Sequence, residues 1–307
     1  MHELWRGNAN AWECDELGHL NVRHYIAKAM QGIGTLSDLI GMRRAFGGDA
    51  SATLIARTMH IRFFAESRPG APLHIQGGVL DVRPDGLDAV LMMYHSATAR
   101  LAASFVISLD HAAPRSGQPF TWPDRMQSRL DQLLVRLPDE AGPRGIEPAE
   151  PASDLSLQRA DALDLAWAGR GRFLPEDADM FGWMRAECAI GKVSDSVIHF
   201  KEGFPEQWAS HAGNGPARRA SALLEVRIAI RNYARPGDGF VIRSGLTGVG
   251  EKVRNLVHWV LDPVTGRPWW SVEGVACIMD LDARKLVPTE ADTLASLRDQ
   301  VREELKL

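Results

Sequence analysis

Apolar residues recur along the chain with two different periods, and the same succession of periods appears twice. Residues 20–41 place Val22, Ile26, Met30, Ile33 and Ile40 along one stripe, which predicts an amphipathic helix. Asn21 or an earlier polar residue would cap its start, and Gly41 would end it. Residues 58–64 alternate instead, with Met59, Ile61 and Phe63 on one face and Thr58, His60 and Arg62 on the other. Residues 224–231 alternate more clearly, Leu224, Val226, Ile228 and Ile230 against Glu225, Arg227, Ala229 and Arg231. Turn signals at Arg68-Pro69-Gly70, Pro84-Asp85-Gly86, Arg235-Pro236-Gly237 and Asp262-Pro263 separate further strands. Residues 101–109 and 271–281 read as the strands that close two sheets. Each half then ends in an amphipathic helix. The first presents Met126, Leu130, Leu133, Leu134 and Leu137; the second presents Leu294, Leu297, Val301 and Leu305, with Thr289 and Asp292 offering a capping box.

Residues 142–154 carry Pro143, Pro148 and Pro151 without apolar periodicity and read as an exposed linker. They divide the chain into residues 1–141 and 155–307, halves of similar size, which prompts a search for duplication. Ile33-Gly34-Thr35-Leu36-Ser37-Asp38 matches Ile190-Gly191-Lys192-Val193-Ser194-Asp195. Arg68-Pro69-Gly70-Ala71-Pro72-Leu73-His74-Ile75 matches Arg235-Pro236-Gly237-Asp238-Gly239-Phe240-Val241-Ile242. An insertion in residues 199–220 absorbs the change of offset. One buried helix followed by long antiparallel strands is an α+β unit, in which the sheet wraps the helix and Gly32 and Gly34 permit close approach. Two such units in one chain resemble the hot-dog layout, doubled.

Composition narrows the function. The 307 residues hold 35 Lys and Arg against 39 Asp and Glu, so no basic excess is available to neutralise nucleic-acid phosphates. No apolar run approaches the length of a membrane span. Glu3, Arg6 and Glu13 occupy the place where a secretion signal needs its apolar segment. Cys14, Cys188 and Cys277 are far apart, which excludes a disulfide scaffold and fits a reducing compartment. The expectation is a cytoplasmic protein that binds neither nucleic acid nor membrane.

The chemistry concentrates in residues 12–25, WECDELGHLNVRHY. A carboxylate (Asp15), an imidazole (His19) and a carboxamide (Asn21) lie within a few residues of the free N–H groups at a helix start, an anion site by construction. Thioester hydrolysis needs this set: donors for the developing oxyanion, and a carboxylate to attack the carbonyl or deprotonate water. The same residues also suit a structural role, with Asp15 closing a turn and His19 and Asn21 capping the helix. Asp15, Gly18, His19, Asn21 and Tyr25, spaced Asp-x-x-Gly-His-x-Asn-x-x-x-Tyr, resemble the signature of hot-dog thioesterases, of the 4-hydroxybenzoyl-CoA and acyl-ACP thioesterase types. The resemblance implies that Asp15 is the catalytic carboxylate and that N–H groups near Gly18 and His19 polarise the carbonyl. It also implies that Asn21 positions water or the carboxylate. Leu17 stands where the acyl-ACP enzymes carry an asparagine.

In the second half, residues 176–184 keep acidic residues and a glycine but have no Gly-His-x-Asn, and the following helix is shorter by about two turns. One competent site is therefore expected. Asp177 or Asp179 would serve as caps before they served as a second catalytic carboxylate, and Glu187 would be a solvated helix residue before it was one that approaches the first site. No cofactor or metal is implied: His19 and His24 lack the HExxH arrangement, and no G-x-S-x-G elbow occurs. Gly248-Val249-Gly250-Glu251-Lys252 reads as a hairpin turn and not a phosphate loop. Arg62, Arg68, Arg218, Arg219 and Arg227 are candidates for CoA phosphates. The expected function is an acyl-thioester hydrolase of fatty acid metabolism, acting on acyl-CoA or acyl carrier protein thioesters. A hot-dog enoyl-thioester hydratase or dehydratase, or a non-catalytic acyl-thioester-binding protein, is the alternative. Exposed apolar strand faces leave room for a homodimer of the double unit.

Overall fold

A computed structural model describes residues 1–146, 152–213, 219–283 and 285–305. Arg218 and residues 147–151 of the linker lie outside them. The chain forms two compact units, Met1–Pro143 with Glu176–Cys188, and Arg144–Pro175 with Ala189–Leu307.

The first unit contains β1 (His2–Asn8), α1 (Val22–Ile40), β2 (Thr53–Phe63), β3 (Pro72–Arg83), β4 (Gly86–His95), β5 (Arg100–Ala112) and α2 (Asp124–Gln132). Its strands pair antiparallel in the order β1-β3-β4-β5-β2. After α3 (Leu157–Ala162) come β6 (Ala166–Arg172), α4 (Cys188–Ser194), α5 (Pro205–His211), β7 (Arg219–Ile230), β8 (Gly239–Val249), β9 (Arg254–Leu261), β10 (Pro268–Asp280), β11 (Lys285–Leu286) and α6 (Ala291–Asp299). The second unit's strands pair antiparallel as β6-β8-β9-β10-β7, the same order strand for strand, with β11 added on β10. The double hot-dog layout expected from the sequence is the fold observed.

Helix α1 forms as its periodicity dictates. Asn21 caps it by accepting the Arg23 N–H at 3.0 Å, and Gly41 ends it at φ +103°, a conformation that only glycine adopts without strain. Tyr25, Ile26, Ala29, Ile33, Leu36 and Ile40 are buried along it. A Cβ at Gly32 would lie 3.0 Å from a Leu91 methyl and 3.5 Å from Leu4, so this glycine sets the closeness of helix to sheet. Gly34 does not: a Cβ there meets nothing nearer than Phe46 at 3.8 Å.

Other expectations shift for local reasons. Alternation puts Glu225 on the polar face of β7, yet it is buried, and its carboxylate accepts the N–H groups of Arg144 at 3.0 Å and Gly145 at 2.6 Å. Those bonds compensate its burial. Thr289 caps nothing; its hydroxyl accepts from Arg254, and Glu290 is the cap position of α6. That helix ends at Asp299, and Val301 leaves it to bridge Leu246. Gly250 closes a turn by donating to the Val253 carbonyl at 2.8 Å, as the hairpin reading requires.

One ion pair in the first unit ties α1 to the segment that precedes it. Lys28 is 3 % exposed, and its ammonium donates to both Glu13 oxygens, at 2.8 and 2.7 Å, from beside the Trp5 ring. Glu13 also accepts the Asn10 N–H at 2.9 Å. Burial pushes the Glu13 carboxyl up, but the bonds from Lys28 and Asn10 outweigh it and hold it below its ordinary value.

Two predictions follow from this packing. Gly34→Ala stabilises the protein by roughly 0.5–1 kcal/mol, whereas Gly32→Val destabilises it by roughly 1–3 kcal/mol, in denaturant titrations of each. Lys28→Met leaves a half-buried carboxylate without its ammonium partner and destabilises the fold by about 1–3 kcal/mol at neutral pH. Because Glu13 is held low in the folded state, its contribution is full above the ordinary glutamate value and is lost as pH falls from there through the lowered value of the folded state. The gap between wild type and Lys28→Met therefore narrows on acidification.

Candidate active site

The segment between Glu13 and α1 is a tight hairpin. Cys14 and Leu20 form an isolated antiparallel bridge across its base. Asp15 donates its N–H to the His19 carbonyl at 3.0 Å and accepts the Gly18 N–H at 3.0 Å. Gly18 turns the chain at φ +74°. The base of the hairpin is sewn down by Asn21 N–H to the Glu13 carbonyl at 3.0 Å and by Leu20 N–H to the Ser67 carbonyl at 2.7 Å.

Within this frame the Asp15 carboxylate accepts the Leu17 N–H at 3.0 Å and lies 3.6 Å from Nδ1 of His19. Both side chains are largely buried, and the far nitrogen of His19 faces Glu66 at 3.8 Å. Burial raises the Asp15 carboxyl above its ordinary value, against the opposing pull of His19 and the Leu17 N–H. A carboxylate held in this way has a raised proton affinity and is a stronger base. Asn21 serves as the cap of α1, and the Gly18 N–H is engaged in closing the turn. Tyr25 donates to Ser67 Oγ at 3.2 Å and packs edge-on against Phe63, and Ser67 Oγ in turn lies 3.4 Å from His95. The five signature residues are thus brought together at one corner of the first unit.

Sequence reasoning missed Glu66, Glu13 and Lys28. Glu66 sits 51 positions after Asp15, just ahead of the Arg68-Pro69-Gly70 turn, and nothing in the motif points to it. Lys28 did leave a signal: it shares a row at spacing i, i+4 with the buried Gly32 and Leu36.

Segment Glu176–Cys188 packs as part of the first unit and repeats the bonds across the turn of the hairpin. Ala178 bridges Met184, Asp179 N–H donates to the Trp183 carbonyl at 2.8 Å, and Gly182, at φ +78°, donates to the Asp179 carbonyl at 3.1 Å. The Asp179 carboxylate accepts the Phe181 and Trp183 N–H groups at 2.8 and 3.0 Å. Asp179 therefore occupies the place of Asp15, and Trp183 the place of His19. The indole N–H of Trp183 donates to the Pro114 carbonyl at 2.9 Å. Asp177 stands where Glu13 does, and Arg23 lies 3.6 Å from its carboxylate. Glu187 precedes α4, is only 7 % exposed and pairs with Arg185 at 3.3 Å, contrary to the solvated position expected of it.

Two of the arginines weighed for phosphate binding are committed within their own units. Arg62 donates to the carbonyls of Glu140 and Gly142, and Arg227 pairs with Glu273 at 2.6 Å. Among the described residues no helix is long and apolar enough to cross a membrane.

Comparison with known proteins identifies the family. A search of curated proteins by sequence returns no match. Among solved structures, a protein of Lactobacillus plantarum described as an oleoyl thioesterase aligns at a TM-score of 0.67 and 10 % identity, over 89 % of this chain and 94 % of its own. The 12:0-ACP thioesterase of Umbellularia californica aligns at 0.66 and 9 %, over 93 % of each chain. An acyl-ACP thioesterase of Bacteroides thetaiotaomicron aligns at 0.62 and 12 %, over 89 % and 96 %. Identities this low speak to the double hot-dog fold alone. The model of one family, however, matches residues 9–130 and 173–297, one segment in each half of the chain. The first segment holds the whole Asp15 hairpin and α1, and on that match the chain belongs to the thioesterase-like superfamily.

Proposed function

We propose that Asp15 carries out thioester hydrolysis in this enzyme, with His19 and Glu66 beside it and the head of α1 facing the carbonyl. The observation that supports this most is the Asp15–His19 pair at 3.6 Å, largely buried, at the start of the long helix. In the general-base route Asp15 takes a proton from water as the water oxygen attacks the thioester carbon. The tetrahedral oxyanion collapses, the C–S bond breaks, and the thiolate leaves and is reprotonated. In the nucleophilic route an Asp15 oxygen forms a mixed anhydride and expels the thiol, and water then releases the acid. Both routes need an ionised Asp15 and stabilisation of the oxyanion, for which the Val22 N–H and the positive end of α1 are at hand, the Arg23 and His24 N–H groups being held by Asn21. Asp179 has a like setting but no imidazole, so a single site works.

The substrate class is an acyl thioester of coenzyme A or of acyl carrier protein, in keeping with what the structural neighbours are described as acting on. The three free cysteines fit a cytoplasmic enzyme of fatty acid metabolism.

The test is thiol release from a panel of short, long and aromatic acyl-CoAs. Asp15→Asn lowers turnover by about 10²–10⁴-fold. It leaves the melting temperature unchanged or raises it, because a carboxylate whose pKa burial raises makes the folded state less stable when ionised. Equal rates in wild type and Asp15→Asn would remove Asp15 from the chemistry. Glu66→Gln lowers turnover less than Asp15→Asn, since Glu66 reaches only the far side of His19 and is one-third exposed (34 %).

A further inference from the structure

The first turn of α1 is electrostatically odd. A helix start favours anions, yet this one carries Arg23 and His24 and has no acidic residue of its own. Two acids from outside the helix face these side chains. Glu13 lies 3.9 Å from His24, and Asp177 lies 3.6 Å from Arg23. Glu13 and Asp177 are equivalent positions of the two hairpins, each accepting the N–H that seats the next segment: Asn21 onto Glu13 at 3.0 Å, Arg185 onto Asp177 at 2.8 Å. The Asp177 side chain is only 4 % exposed, so its charge is kept from water and directed at its partners. Cys188 completes the contact. Its thiol lies 3.5 Å from the Asp177 carboxylate and 3.6 Å from the Arg23 guanidinium, and burial pushes its pKa up to about 12. At the other end of the hairpin Trp183 is fixed to the Pro114 carbonyl.

We infer that the second hairpin is a clamp on the first site: Asp177 holds Arg23 and thereby fixes the orientation of the first turn of α1. Arg23 and Asp177 are positioning residues, acting through the helix start and not on the substrate. The hairpin keeps its backbone because the clamp needs it. It has lost the imidazole because the clamp does not need it. A helix start tilted by a fraction of an ångström misdirects the donors for the oxyanion while leaving acyl binding intact, so the loss falls on turnover. This inference rests on the reading that Asp15 and the head of α1 form the active site.

The experiment measures kcat and KM for acyl-CoA hydrolysis, with melting temperatures, in Arg23→Met, Asp177→Asn, Asp177→Glu, Asp179→Asn and Asp15→Asn. Arg23→Met and Asp177→Asn lower kcat by about 10–100-fold with KM within about twofold of wild type. Their double variant is no worse than either single one, as expected for partners in one interaction. Asp177→Glu restores most of the turnover. Asp179→Asn keeps the acceptor oxygen of its hairpin and leaves kcat unchanged. Native Cys188 also reacts faster with a disulfide reagent once Asp177 or Arg23 is replaced, because the contact that shields the thiol is gone. Wild-type kcat in Arg23→Met and Asp177→Asn, with Asp15→Asn inactive, would overturn the clamp and leave the site standing. A loss in Asp179→Asn as deep as in Asp15→Asn would overturn it too, by making the second hairpin catalytic. An Asp15→Asn variant of full activity would overturn the site reading itself, and the clamp with it.

Discussion

A carboxylate becomes a strong base only when it is taken out of water, and a hairpin that buries one must be held in place by something other than the carboxylate. In this protein the holding is done by the Lys28–Glu13 ion pair. Lys28 projects from the buried side of α1, and Glu13 stands at the foot of the hairpin with its own carbonyl accepting from Asn21. The pair joins the two strands of chain that flank Asp15, one before the turn and one after it. It also makes Glu13 an acid with a low proton affinity only two residues from an acid whose affinity burial has raised. The difference lies in the partners, the Lys28 ammonium for one and neutral N–H groups with a more distant imidazole for the other.

The duplicated hairpin shows how much of such a site is backbone and how much is side chain. Both copies share the cross-turn bonds, the left-handed glycine and a carboxylate that accepts an N–H two residues on. Burial raises Asp179 as it raises Asp15. What separates them is the residue four places later. At that position His19 sets an imidazole 3.6 Å from the carboxylate, whereas Trp183 carries an indole whose N–H goes to a carbonyl. Common backbone geometry therefore carries two different side-chain settings, and the difference in role proposed for them rests on a single side chain.

Much of this was readable from the chain. The stripe of α1, its cap and its end, and the two matched stretches led to the doubled sheet-and-helix unit, and the Asp15–Tyr25 spacing led to the corner where those residues meet. The less readable features depend on pairings between distant segments. Glu66 comes to His19 only when β2 has brought the chain back alongside α1. Glu225 looks like a polar-face residue until the backbone of Arg144 and Gly145 covers it. The register of the second hairpin is hard to read because the repeat offset takes three values along the chain, 164 at the hairpin, 157 at the helix and 167 at the following turn. Seven residues are dropped between the hairpin, where Asp15 matches Asp179, and the helix, where Ile33 matches Ile190. That loss shortens α4 to Cys188–Ser194 against Val22–Ile40 for α1.

The central claim is that a single carboxylate, made basic by burial, performs the hydrolysis. The pH dependence of kcat for thiol release tests it most directly. Since the reaction needs Asp15 ionised and burial raises its proton affinity, kcat rises with pH along an acid limb centred above the ordinary aspartate value. In Asp15→Asn the residual rate lacks that limb. A limb at or below the ordinary value, or one that survives in Asp15→Asn, would contradict the account.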